Sequence, residues 1–426
     1  MLINIVTLGC SKNSVDSEVM ASRFAELGHQ LCFEEEKDSD VVLVNTCSFI
    51  QDAKEESIEE IFLQVERKKE GRVKKVYVMG CLAQRYKDEL LEAIPEVDGF
   101  YTFAELPRLM ESLDFDLLGH QGRVLSTPAH YAYMKISEGC DRSCAFCAIP
   151  LIRGKQVSKP IEQLYDEAQM LVSKGVKELI LIAQDLTAYG TDNYKERRLE
   201  QLMKKLADVK GLEWIRLHYA YPNSFPYPIL DVMREHSQFC RYLDIPLQHA
   251  AENVLRGMNR PSTLEKMYQF MDTLRTKVPG IAIRTTLLSG FPTETKADHN
   301  ALVQFVKDMC FDRMGVFSYS PEEGTPAYQL GDPISKKEKE KRRNELMAIQ
   351  EEISLAINES KEGQTMKVLI DTEEDDCFIG RTEFDSPEVD NAVLVEKHPD
   401  IKVGHFYPVL ITGAEAYDLT AQLIEE

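Results

Sequence analysis

Apolar runs and amphipathic stretches alternate from the first residues onward. "INIVTLGC" is apolar up to Cys10, and "SEVMASRFAELGH" follows with helical spacing. "DVVLVNTCSF" is a second apolar run, with Cys47 near its end. In "DAKEESIEEIFLQVERKKEG", Ile58, Ile61, Phe62 and Val65 fall at i, i+3, i+4 and i+7, one face of a helix. "KKVYVMGC" is a third run and stops at Cys81. Strands apolar on both faces and separated by helices predict a parallel α/β sheet, here over residues 1–125.

The same rhythm continues over residues 126–334. Six runs read as strands: "YAYMKISEGC", "KELILIAQD", "EWIRLHYAYP", "RYLDIPLQHA", "IAIRTTLLSGFP" and "RMGVFSYSP". Six such βα units predict a partial relative of the eight-unit barrel, with its site at the C-terminal strand ends. Residues 335–361 read as a charged linking helix whose basic start is a solvated face. From 362 to 426 the pattern changes to period two, broken by Gly, Pro and Asp, which predicts a small antiparallel β-barrel. The fold class expected is therefore α/β multidomain with a small β-barrel at its end.

Composition narrows the setting. The chain has 426 residues, 43% hydrophobic and 28% charged, as in ordinary globular proteins. No run reaches the roughly 18 apolar residues of a membrane helix, and "MLINIVTLGC" lacks the segments of a signal peptide. A cytoplasmic setting is expected, where ten cysteines suggest metal or redox work rather than disulfides. The net charge of -21 argues against nucleic acid as a partner and is a better match to a basic one, while composition alone favours the plain alternative that acidity only keeps the chain soluble.

The cysteines carry the chemistry. Cys140, Cys144 and Cys147 form CxxxCxxC at the end of the first of the six strands. A closed zinc site uses four ligands, and this loop offers three. Three thiolates can instead hold three irons of a cubane and leave the fourth open. Cys10, Cys47 and Cys81 stand 37 and 34 positions apart, each at the end of an expected strand. Ligands bind at that edge of an open α/β sheet. The plain alternative is three small core residues, the usual use of free cysteine. Cys32, Cys240, Cys310 and Cys377 fit no ligand pattern and read as packing, as does Trp214.

The motif at a barrel's first strand resembles the radical S-adenosylmethionine (SAM) superfamily. That resemblance implies a 4Fe-4S cluster on Cys140, Cys144 and Cys147, with SAM chelating the open iron and cleaved to a 5′-deoxyadenosyl radical. Phe146 matches the position beside the adenine. Gln184 and Asp185 in "LIAQD" match a strand end that meets the SAM amino group. Gly290 lies in "RTTLLSGFPTET", which resembles the turn bordering SAM, although Thr293 stands where many members have glycine. Arg284 is a candidate for the SAM carboxylate, with a salt bridge in the barrel as its alternative. His218 and His249 are read as ordering the barrel mouth, and Glu294 as capping a helix start.

The whole order resembles a narrower family, the methylthiotransferases. "TLGCSKNSVDSE" and "NTCSFI" look like its N-terminal signatures, and the terminal barrel resembles its TRAM domain. The resemblance implies a second 4Fe-4S cluster on Cys10, Cys47 and Cys81. One SAM would methylate a sulfur carried there, and a second would supply the radical. It also implies a low-potential electron donor of the flavodoxin or ferredoxin type. Two substrates occur in that family: an adenosine of transfer RNA, and the β-carbon of an aspartate in small-subunit ribosomal protein S12. Charge decides between them. Residues 362–426 hold 16 acidic and 4 basic side chains, net -12, where an RNA-binding barrel should present Lys and Arg. An acidic barrel should steer in a basic ribosomal protein, free or within the small subunit. "GRTEFDSPEVDNAV" also resembles the ribosomal-protein branch. A non-catalytic iron–sulfur redox sensor is the remaining alternative from another class.

Overall fold

Every strand of the first sheet runs parallel, as apolar runs joined by helices require. The structure is a computed structural model describing residues 1–112 and 122–424; the stretch 113–121 of the expected first domain lies outside them. Contacts divide the chain into two compact units. One is Met1–Thr127 with Ala148–Lys155; the other is Pro128–Cys147 with Gln156–Glu426.

In the first unit, β1 (Leu2–Thr7), β2 (Gln30–Phe33), β3 (Ser39–Thr46), β4 (Val73–Gly80) and β5 (Gly99–Phe100) pair in the order β2-β1-β3-β4-β5. Helices α1 (Ser11–Glu26), α2 (Gln51–Lys69), α3 (Cys81–Ala93) and α4 (Leu106–Ser112) complete it. The strand centres are apolar because both faces are covered, although Lys74 and Lys75 near the start of β4 are exposed. Val42 and Val44 of β3 pack with Ile61 and Val65 of α2, while Val41 and Leu43 pack with Met20 and Phe24 of α1. Each such side chain contributes about 1.5–3 kcal/mol on full burial. Two edge strands escaped the sequence pattern: β2 has four residues and β5 two, too short to show a period. The buried face of α2 is also rotated from the expected one. Ser57, Ile61, Gln64 and Val65 are inside, and Phe62 is exposed.

The second unit opens with β6 (Tyr131–Lys135) and the short β7 (Ser137–Glu138). The loop beyond carries α5 (Ile149–Ile152), which lies in the segment assigned to the first unit, and returns at β8 (Val157–Ser158). Then follow α6 (Ile161–Ser173), β9 (Glu178–Ile182), α7 (Leu199–Ala207), β10 (Trp214–Leu217), α8 (Pro228–Glu235) and β11 (Phe239–Asp244). Next come α9 (Glu252–Gly257), α10 (Leu264–Lys277), β12 (Ala282–Ser289), α11 (Lys296–Met309) and β13 (Arg313–Ser318). The six strands pair in chain order, β6-β9-β10-β11-β12-β13, all parallel, and the two outer strands do not close on each other. This is the expected six-unit partial barrel.

The long helix α12 (Lys336–Glu359) leads to β14 (Thr365–Glu373), β15 (Cys377–Arg381), β16 (Ala392–Glu396), β17 (Phe406–Ala414) and β18 (Asp418–Leu423), a closed barrel. It departs from the expected antiparallel ring at one pair, β16 with β18, which run parallel. Parity demands this: an odd number of strands cannot alternate in direction all the way around a closed ring. The basic start of α12 is a solvated face only in part: Lys336, Lys337, Lys341 and Arg343 are exposed. Lys339 is buried, with its Nζ 2.7 Å from Asp332 and from the Tyr319 carbonyl, and Arg342 donates to Glu294. Among the described residues no helix is long and apolar enough to cross a membrane.

Candidate functional site

The strands β1, β3 and β4 are neighbours, and the polypeptide after each of them places a cysteine at the C-terminal edge of the sheet. Cys10 is the N-cap of α1, Cys47 follows β3 directly, and Cys81 is the first residue of α3. Two glycines with positive φ make room. A Cβ on Gly9 (φ 92°) would lie 2.5 Å from the Cys47 Cβ and 2.6 Å from its sulfur. A Cβ on Gly80 (φ 98°) would meet Asn45 Oδ1 at 2.4 Å and the Thr46 carbonyl at 2.5 Å. Asn13 Nδ2 donates to the Leu8 and Thr46 carbonyls, and Asn45 Nδ2 donates to the Asn13 carbonyl, so the strand-end turns are laced together. Ser57 Oγ bridges the backbone N–H and C=O of Cys47.

Burial pushes the Cys47 thiol up to about 12, and the charges of Cys10 and Cys81 add to the rise, against the Phe49 and Ser48 N–H groups. Burial raises Cys81 too, while the Arg153 guanidinium pulls it down. The buried Cys47 thus feels the charges of Cys10 and Cys81, and the buried Cys81 that of Cys10. Iron ligation requires the thiolate, so a cluster held by these residues would release protons on binding. Among the described residues no three His, Cys, Asp or Glu side chains converge as tightly as one metal ion needs. A cubane makes a different demand, since each thiolate binds a separate iron. A three-thiolate donor set beside glycine-cleared space fits that group.

The second triad is local. The loop bearing Cys140, Cys144 and Cys147 springs from an antiparallel foot, with Ser137 opposite Ser158 and Glu138 opposite Val157. Gln184 Nε2 donates to Glu138 at 2.7 Å, and Arg142 Nε donates to Asp185 at 2.7 Å. On the other side Ala145 N–H donates to the Met258 carbonyl, and Arg260 Nη1 donates to Cys144 Sγ at 3.4 Å. Tyr221 lies under both guanidiniums, 4.0 Å from Arg142 and 4.2 Å from Arg260. Burial lifts the Cys140 thiol to about 11, opposed by the Arg142 backbone N–H. Phe146 packs beside Leu288 and Phe291.

The sheet mouth beside this loop holds buried polar atoms with no hydrogen-bond partner: Ser137 Oγ, Gln184 Oε1, Ser289 Oγ and Ser318 Oγ; His249 Nε2 instead faces the Glu294 carboxylate at 3.7 Å. The four lie in β7 or at or just beyond the ends of β9, β12 and β13. Buried polar groups are rarely unsatisfied, so a cluster at one sheet edge fits a polar ligand with donors and acceptors, as SAM has.

Several sequence expectations change. Arg284 is at the third position of β12, away from the mouth, and its guanidinium is held by Asp244 and Asp390, each at 3.2 Å, which is the salt-bridge alternative. Asp185 caps a turn through Thr187 N–H and anchors Arg142. At Gly290 (φ 79°) a Cβ would strike Lys339 Cγ at 2.2 Å, so this glycine serves the approach of α12. The helix cap is Thr295 and not Glu294, which accepts from Gly290 N–H and Arg342. His218 Nε2 is 2.8 Å from Ser386 Oγ, and His249 Nδ1 accepts from Ala251 N–H. Cys32 and Cys240 are buried, but Cys310 is exposed at a helix end.

The acidic tail divides in two. Glu373–Asp376 is exposed. "EFDSPEVDN" instead faces the lower half of the six-stranded sheet. Asp385 pairs with Arg313, Asp390 with Arg284 and Tyr242, Glu383 with Arg241, and Glu388 accepts from Tyr131 and Tyr133. The charge was legible, but its neutralisation was not, because the partners lie tens of residues upstream. Asn13, Asn45, Ser57, Arg153 and Arg260 also escaped sequence reasoning. Polar side chains in signature segments were their only signal.

Comparison with known proteins covers the chain from end to end. Residues 2–102 match Uncharacterized protein family UPF0004, residues 134–306 the Radical SAM superfamily, and residues 363–424 the TRAM domain. The chain is 49% identical to the ribosomal protein uS12 methylthiotransferase RimO of Cytophaga hutchinsonii, over 99% of this chain and 98% of that protein. It is 49% identical to the protein of the same name from Flavobacterium psychrophilum, over 98% and 96%. Among solved structures, the radical SAM methyltransferase TsrM from Kitasatospora setae, with cobalamin and a [4Fe-4S] cluster, has a TM-score of 0.54 at 15% identity, covering 77% of each chain. At that identity the likeness is one of fold.

Proposed function

The chain belongs to the RimO family of ribosomal protein uS12 methylthiotransferases, and from that membership we propose which of its residues hold the cofactors and meet the substrate. It is a radical SAM enzyme with iron–sulfur and SAM cofactors, and it acts on uS12. The transfer-RNA and redox-sensor readings find no favour among its relatives.

In our reading the protein holds two 4Fe-4S clusters, one on Cys140, Cys144 and Cys147 and one on Cys10, Cys47 and Cys81. When bound, the first supplies the electron that cleaves SAM, and the second carries the sulfur that is transferred with its methyl group to the aspartate β-carbon. The chain's own residues bind, orient and exclude water. Gln184 Oε1 and the Ser289 hydroxyl, both without a hydrogen-bond partner, would meet polar groups of SAM, Gln184 its ammonium, and Phe146 would line the adenine side. Arg142 and Arg260 fix the cysteine loop. Asp185 and Gly290 act through that framework, and Arg284 belongs to the barrel joint. The electron donor is of the flavodoxin or ferredoxin type, and the reaction is cytoplasmic.

The observation that carries this reading is the pair of three-cysteine sets, each on a C-terminal sheet edge. It is supported by the unpartnered polar atoms around the second. The test is mass spectrometry of uS12 from cells with and without this chain. The aspartate peptide should carry one methylthio group in place of a hydrogen only when the chain is present. An unmodified peptide in both would reject the reading.

A further inference from the structure

Arg153 follows the last cysteine of the CxxxCxxC motif by six residues, yet belongs to the first unit. Its side chain is 3% exposed. Nη1 donates to Asp16 at 2.6 Å, and Nη2 donates to Asn13 Oδ1 at 2.5 Å and to Cys81 Sγ at 3.4 Å. The guanidinium plane lies 4.0 Å from the Phe103 ring centre. Ala148 and Ile152, on the same segment, pack with Phe103 against Cys81. These contacts fix the guanidinium's direction, and one of the groups it points at is a cysteine of the strand-end triad.

The geometry points to Arg153 as a positioning residue of the N-terminal iron–sulfur site, an N–H···S donor that orients the Cys81 sulfur and sets the site's reduction potential. The inference rests on the assignment of a cluster to Cys10, Cys47 and Cys81. Hydrogen bonds to cysteine sulfur are among the protein's levers on such a potential, because they stabilise the more negative reduced form. A second consequence follows from chain continuity. The segment that supplies Cys147 to one triad goes on to supply the donor to the other.

Arginine rather than lysine is required here. One planar fork serves Asp16, Asn13 and Cys81 together, which a single ammonium cannot do in fixed directions. Asp16 and Asn13 stand in the position of outer-shell residues that hold a ligand's partner in place, a role whose loss commonly costs 10–100-fold in metal affinity or activity.

The test uses the full chain with Cys140, Cys144 and Cys147 replaced by Ala, so that only the N-terminal site takes up iron. Anaerobic reconstitution should give about four irons per chain, with a midpoint potential read by electron paramagnetic resonance. Adding Arg153→Leu should move the midpoint to more negative values and speed loss of iron to a chelator by roughly 10–100-fold. Arg153→Lys should also move it, by less. If Arg153→Leu unfolds the apo chain, seen as a lost thermal transition, the Arg153→Lys midpoint decides. An unchanged midpoint in the folded variants would overturn the inference while leaving the cluster assignment intact. A parent chain that takes up no iron would overturn the assignment, and the inference with it.

Discussion

The two cysteine triads proposed to hold clusters are assembled by opposite routes. Cys140, Cys144 and Cys147 lie on one loop, and their proximity is written into the spacing. Cys10, Cys47 and Cys81 come together only because β1, β3 and β4 are neighbours in a parallel sheet. The first set needs a loop pinned at its feet. The second needs a whole sheet in register, two glycines to clear the space, and an asparagine lattice to hold three turns. A site built from distant segments depends on residues that touch no cofactor, and a local site depends on them less.

The largest test of that contrast is ligand removal. Cys144→Ala should remove about half of the iron, the part on the loop, and Cys47→Ala should remove the other half, each variant keeping about four irons per chain. Iron and sulfide counts after anaerobic reconstitution check this. If either variant loses everything, the sites are interdependent and the contrast fails. Next in size is a non-ligand. Gly80→Ala puts a Cβ 2.4–2.6 Å from Asn45 and the Thr46 backbone at a φ of 98°. Strain and overpacking together should cost roughly 2–5 kcal/mol. Denaturant unfolding should show that loss, and iron should fall at the strand-end site alone.

How much of this the sequence disclosed follows the same line. The three central strands and the six barrel strands were legible because their apolar runs are long and end at cysteines or polar residues. The loop triad was legible from spacing. The strand-end triad was legible as three cysteines in equivalent positions, but its supports were not. Asn13 and Arg153 are 140 residues apart in sequence, and their contact is a property of the fold. Arg284 shows the reverse failure. Its sequence place suited a ligand contact, and only the position of Asp390, 106 residues later, shows where its charge goes.

The supports beneath the triads also differ, and acid should separate them. Apolar packing covers both faces of the first sheet. Below the loop triad, the terminal barrel is joined to the six-stranded sheet through charges, Arg381 with Glu178 and Asp385 with Arg313, while Asp371 pairs with Arg381 inside the barrel. Burial pushes these three carboxyls up, but the guanidiniums prevail and hold them below the usual range. A depressed folded pKa gives stability that is present above the unfolded value, about 3.9–4.3, and lost as pH falls through the folded one. Asp390 and Asp312, which burial raises, act in the opposite sense and reduce the net effect. The first unit has the buried pair Glu18–Arg123, the pair Asp16–Arg153, and Glu105, which Lys87 holds down at about 2 near the surface, but its sheet is covered by apolar side chains and not by these charges. Hydrogen exchange taken below about pH 4 should therefore show the amides of β14–β18 losing protection before those of β1, β3 and β4. Simultaneous loss would mean that the charged joint contributes little.

The smallest expected effect distinguishes the two arginines that touch cysteine sulfur. Arg153 reaches Cys81 and Arg260 reaches Cys144, both at 3.4 Å. Arg153 is neutralised by Asp16, so its influence is mainly directional. Arg260 donates to the Pro246 carbonyl and stacks on Tyr221, and no carboxylate pairs with it among the described residues. Its influence on Cys144 is therefore mainly that of a positive charge, which lysine also carries. Arg260→Lys should leave the midpoint of the loop site close to the parent value, whereas Arg260→Gln should lower it. At the strand-end site Arg153→Lys should already produce a measurable shift. Equal tolerance of lysine at both positions would show that charge alone matters, and that the fork at Arg153 adds no direction to the Cys81 sulfur.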